Sequence, residues 1–170
     1  FYEGNPSFYA DNGNARLHNP WRIWYKLYYA MKWAKYTTLM EDGNFVFMNA
    51  VYFGSSTIKQ LESLPYSKNA IEKCLYFTQK VLMEVFRPKC IICFSVRNCF
   101  DLIDKQFNFT KVTSIYPQRM VGDKLLVSRH IVKRGLWNNI KVFGIPHPSL
   151  PISNDDWGTI AQFLKNEIYI

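Results

Sequence analysis

A chain of 170 residues is long enough for one domain that buries roughly 70% of the surface its unfolded form exposes, so a real core is expected. Hydrophobic residues make up 48% and aromatics 17%, yet no apolar run approaches the ~18 residues of a membrane span, which argues against a disordered or membrane-spanning chain. Twenty-one Lys and Arg against 13 Asp and Glu leave a net charge of +8, which favours a polyanionic partner without naming it, since a solvated basic face has the same composition.

The chain opens on FYEGNPSFY, with neither the charged start nor the apolar stretch of a secretory signal. A polar loop, 10-ADNGNARLHN-19, leads to Pro20 in the first turn of a helix over 21-WRIWYKLYYAMKWAKY-36, where apolar residues recur at helical spacing. The β-branched and aromatic run 45-FVFMNAVYFG-54 predicts a buried strand ending in a Gly-Ser-Ser loop. A helix from about Lys68 to Phe86 follows, stopped by Arg87-Pro88. Next come a strand over 90-CIICFS-95, a short helix over 97-RNCFDLIDKQF-107, and strands over 124-KLLVSRHIV-132 and 140-IKVFGIP-146. The last helix, 154-NDDWGTIAQFLKNEI-168, has Asn154 as its expected N-cap and two aspartates in its first turn.

This order predicts an α/β fold: a three-layer α/β/α sandwich around a central, largely parallel sheet of four to five strands, as a single domain over 1–170. Ligands of such folds sit at the carboxyl ends of the strands, where EGNPSFY, NAVYFGSS and PHPSLPIS would converge. The sequence leaves almost no room for a strand before the first of these loops, so either that strand is very short or the native N-terminus precedes Phe1.

Cys90-x-x-Cys93 has the spacing of a metal-ligand pair, and Cys74 and Cys99 could complete a set. Inside the apolar run 89-KCIICFSV-96, however, an offset of three along a strand turns the two side chains to opposite faces. Reduced, buried thiols are therefore expected, with no metal site and no disulfide.

Three short stretches carry chemistry: 4-GNPS-7, 46-VFMNAVYFGSS-56 and 147-HPSLPIS-153. Each is common alone. In this order, on this succession of strands and helices, they resemble the uracil-DNA glycosylase superfamily. The first is similar to the G-x-N-P loop of its mismatch-specific and thymine-DNA glycosylase branches. The second is similar to the strand that ends in a base-reading asparagine, and the third to the H-P-S-P-L-S loop.

The resemblance implies a monofunctional DNA glycosylase that leaves an abasic site. Cleaving an N-glycosidic bond puts negative charge on the departing base, so a donor aimed at a base carbonyl stabilises the transition state more than the ground state. His147, held between Pro146 and Pro148, would be that donor, worth ~3 kcal/mol by comparison with one oxyanion-hole donor. Asn5 would orient the attacking water; an amide positions water but hardly deprotonates it, so a slower reaction than with aspartate is expected. Asn49 would read the Watson–Crick edge of a uracil-like ring, Gly4 would line the base site, and Phe8 and Trp21 would stack on the flipped base. Ser7 stands where the classical enzymes have a bulky tyrosine against the pyrimidine C5, which leaves space for a 5-substituent such as that of thymine or 5-hydroxymethyluracil.

The base must leave the stack before it is cut. Leu150 occupies the place of the family's apolar wedge, although Leu150-Pro151 reverses the usual order and makes Ile152 an alternative. Ser55, Ser56 and Ser149 would hold phosphates, and 129-RHIVKR-134 would either track the backbone or form a solvated strand. His18 is given no role. DNA is the implied partner, without a membrane, metal or organic cofactor. The chain is expected to be monomeric and cytoplasmic, on the nucleoid in a bacterium or phage and nuclear in a eukaryote. The alternative is a catalytically inactive glycosylase-like protein that binds DNA or a modified base. A second is an unrelated α/β protein acting on a small nucleotide.

Overall fold

The computed structural model describes residues 22–40, 45–52, 60 and 63–168. Helix α1 (Arg22–Trp33) buries Leu27, Ala30 and Met31, with Ala34 just beyond, a single stripe at helical spacing. Helix α2 (Ser67–Lys80) widens into a π-helical turn, Val81–Phe86, closed by the Arg87 N–H on the Leu82 carbonyl at 2.8 Å. Arg87 turns left-handed at φ 45° and Pro88 follows, so the helix ends where the sequence predicts.

Strand β1 (Cys90–Phe94) leads through a π-helical turn, Val96–Phe100, into α3 (Asp101–Phe107). Then come β2 (Thr110–Ile115), β3 (Gln118–Val121), β4 (Lys124–Val127), β5 (Val132–Trp137), β6 (Ile140–Ile145) and α4 (Asn154–Ile168). The main sheet has the order β1-β6-β5-β2, and β3 and β4 form a separate hairpin.

The expectation of a largely parallel sheet is corrected here. Among the described residues only β1–β6 is parallel; β5–β6 and β2–β5 are antiparallel. The cause is local: Trp137 pairs directly with Ile140 across a two-residue turn in which Asn138 and Asn139 adopt φ 48° and 67°. Two consecutive left-handed residues make a tight hairpin, which can only return the chain antiparallel.

Three further expectations are corrected. Residues 45–52 form no strand: the Ala50 carbonyl accepts the Thr78 hydroxyl at 3.0 Å and the Tyr52 N–H points to Cys74 Sγ at 3.5 Å, so α2 side chains occupy these backbone groups. The stretch 124–132 is not one strand. It divides at Ser128–Ile131 between β4 and β5, where Ser128 accepts the His130 N–H at 3.1 Å and closes a turn. The N-cap of α4 is Ser153 rather than Asn154, since its hydroxyl oxygen accepts the Asp156 N–H at 3.1 Å.

Consecutive residues of β6 face opposite ways and feed two cores. Phe143 and Ile145 pack with Met31 of α1 and with Ile160 and Leu164 of α4, whereas Val142 packs with Leu75 of α2, Phe100, and Ile103 of α3. Residues of α1 and α4 thus share one core cluster with β6, and residues of α2 and α3 share the other. Phe100 and Phe143 are fully buried, each worth about 1.5–3 kcal/mol relative to exposure. Gly144 lets Phe100 cross β6 in contact with its backbone: a Cβ there would lie 2.6 Å from Phe100 Cβ. Cys90 packs in the first core and Cys93 in the second, so the pair diverges across the sheet. Among the described residues no helix is long and apolar enough to cross a membrane.

Candidate functional site

The loop after β6 is built from stiff parts. Pro146 and Pro148 are both buried, which fixes the backbone on either side of the half-buried His147. The Leu150 N–H closes a turn on the His147 carbonyl at 3.0 Å, and Lys26 of α1 reaches the Leu150 carbonyl at 3.0 Å. Beyond the loop, Ser153 and Asp156 begin α4 with a reciprocal cap, the Ser153 hydroxyl donating to Asp156 Oδ2 at 2.6 Å.

His147 has its tautomer biased by its own loop. Nδ1 accepts the Ser149 backbone N–H at 3.2 Å and lies 2.7 Å from Ser149 Oγ. A backbone N–H can only donate, so this contact favours the tautomer in which Nδ1 carries no proton. The neutral ring then holds its one proton on Nε2. Burial lowers the imidazole pKa below its ordinary value, favouring that neutral form. The loop thus presents an uncharged N–H donor with a fixed ring. Ser149, expected on a phosphate, is exposed and has its hydroxyl 2.7 Å from this ring.

Leu150 is 46% exposed, whereas Ile152 is buried in the first core. Of the two apolar wedge candidates only Leu150 is presented outward. The cations of 129-RHIVKR-134 are engaged within the fold: Arg129 with Asp156 at 3.0 Å, Lys133 with Asp101 at 2.7 Å and Arg134 with Glu167 at 2.8 Å. Each of these cations thus has an acidic partner in the fold, and the Arg129 side chain is still 76% exposed.

Asn49 is exposed, in a segment that lies against the β1 edge of the sheet. Two residues before it, the Phe47 ring packs on the Phe94 ring at 5.6 Å, and Phe94 is the register partner of Ile145. His147 lies two residues beyond Ile145, at the carboxyl end of β6. Gly4, Asn5, Ser7, Phe8, Trp21, Ser55 and Ser56 lie outside the described residues. The two described clefts, one beside α2 and one between the hairpin and α4, include neither Asn49 nor His147.

Ser95 is a residue the sequence reading passed over. It ends β1 at φ 93° and ψ 117°, a sparsely populated conformation of the kind that costs about 1–3 kcal/mol. Its N–H reaches the Ile145 carbonyl at 2.9 Å and its hydroxyl oxygen accepts the Asn98 N–H at 3.1 Å, so the strained residue ties the end of β1 to the root of the histidine loop. The signal available in the sequence was a lone serine closing the apolar run CIICF.

No family model matches the chain, and neither a curated protein nor a solved structure does.

Proposed function

We propose that the chain is a monofunctional DNA glycosylase acting on a flipped uracil-like or 5-modified pyrimidine, with His147 as the donor to the departing base. The observation that carries this reading is the contact of His147 Nδ1 with the Ser149 N–H and hydroxyl, which favours a neutral ring with its proton on Nε2. Such a donor costs nothing to reorganise when charge develops on a pyrimidine oxygen, and it is worth most in a dry site. In the reaction the bond between C1′ and the base nitrogen breaks, the base leaves with the bonding electrons, and water adds at C1′ with loss of a proton. Asn5 would hold that water and Asn49 the base edge, while Leu150 would fill the gap in the stack.

The resemblance of the three loops supports this reading, as does the place of His147 just beyond the carboxyl end of β6. Helices α1 and α4 in one core cluster and α2 and α3 in the other agree with an α/β/α sandwich. The net charge of +8 suits a DNA partner for a monomeric enzyme.

The test is alkaline cleavage of end-labelled oligonucleotides carrying uracil, thymine opposite guanine, 5-hydroxymethyluracil or a glucosylated pyrimidine. An alkali-labile site in one of them supports the reading and names the base. DNA that is bound but yields no such site in any of them would make the loops a reading pocket rather than an active site.

A further inference from the structure

Helix α2 turns Cys74, Leu75 and Thr78 into the protein, so ordinary amphipathicity would make its other side polar. It is aromatic instead. Tyr66, the residue before the helix, is 87% exposed, and Tyr76 and Phe77 are 54% and 55% exposed. Asn69 and Lys73 fall between them and Lys80 follows, at spacings of three and four, which puts all six on one stripe about 20 Å long. Tyr52, Tyr66, Asn69, Lys73 and Phe77 line a cleft of about 440 Å³ along it.

The chemistry of the stripe narrows its occupant. Protein interfaces are depleted in lysine at their centre. Here Lys73 sits between the rings and forms no ion pair with a described residue. Lys80 Nζ lies 5.0 Å from the Tyr76 ring centroid, so cation and ring are presented together. Rings alternating with ammonium groups match a polymer that alternates planar bases with phosphates. The stripe is also continuous with the 45–52 segment, since Tyr52 in the cleft is three residues from Asn49.

We infer that this face of α2 binds an unpaired nucleic-acid strand, one base entering the cleft against Tyr66 while Lys73 and Lys80 take the neighbouring phosphates. The inference goes beyond the proposed reaction and does not depend on it, because a strand can be held here whether or not a base is cut elsewhere.

The test is fluorescence anisotropy of the full chain with a fluorescein-labelled oligothymidylate at several salt concentrations. Tyr66→Asn removes the ring while suiting the left-handed backbone at φ 63°, Tyr66→Phe keeps the ring, and Lys73→Gln removes the charge. Tyr66→Asn is expected to weaken binding about five- to 100-fold and Tyr66→Phe to leave it within about twofold. Lys73→Gln is expected to reduce the slope of log affinity against log salt by about 0.7. Circular dichroism melts of all three should match the parent chain, since both positions are exposed. The inference is overturned if the parent chain does not bind the strand, if Tyr66→Asn and Lys73→Gln bind like the parent, or if a blunt duplex or polyglutamate competes as well as the oligothymidylate.

Discussion

Replacing Asp156 by Asn tests how the histidine loop is anchored to the helix behind it. Asp156 is only 4% exposed, and its carboxylate accepts the Arg129 N–H at 2.8 Å, the Ser153 hydroxyl at 2.6 Å and Arg129 Nη2 at 3.0 Å. Burial alone would raise its pKa; the bonds from Ser153 and Arg129 outweigh that and hold the carboxyl at about 2, against an ordinary 3.8. By linkage the difference corresponds to about 2.5 kcal/mol. The Arg129 side chain is 76% exposed, so water screens its share and about 1.5 kcal/mol is the expected loss at pH 7. The folded-state pKa lies below the unfolded one, so this stabilisation is complete above about pH 4 and disappears as pH falls toward 2. Urea unfolding of both proteins at pH 7, 4.5, 3 and 2.5 measures it. A gap that narrows below pH 4 is predicted; one of equal size at pH 2.5 and pH 7 would refute the reasoning and make the loss one of packing.

Gly144→Ala would force a Cβ to within 2.6–2.9 Å of the Phe100 side chain, and a loss of about 3 kcal/mol or more is expected in denaturant unfolding, at the upper end of overpacking effects. Ser149→Ala deletes the hydroxyl that lies 2.7 Å from His147 Nδ1 and so loosens the ring. Single-turnover base release by this variant is expected to fall about fivefold, the worth of one ordinary hydrogen bond, with DNA affinity unchanged; an equal rate would count against the contact that holds the ring.

What the sequence discloses here follows from how local the cause is. The end of α2, β1, β6 and α4 are legible because an apolar run, an Arg-Pro stop or an acidic first turn lies within each element. Pairing direction is less so: Asn138-Asn139 alone reverses β5 onto β6, and that dipeptide is easily passed over beside the long apolar runs around it. β2 escaped notice because five of its six residues are exposed, leaving no buried alternation to read. The 45–52 segment has the composition of a strand, but its backbone bonds go to Thr78 and Cys74, side chains more than 20 residues away. At the site, the prolines flanking His147 announce a rigid histidine. The contact that favours its tautomer depends on the turn closed by the Leu150 N–H, which the composition of the loop does not specify.

The most direct measurement is single-turnover formation of abasic sites by the parent chain and His147→Ala on the preferred oligonucleotide, with binding to the same DNA followed in parallel. A rate lower by about 10²–10³ in the variant, with DNA affinity within about threefold, is what a donor acting only on the departing base predicts. Equal rates in the two proteins would contradict the account and remove His147 from the chemistry.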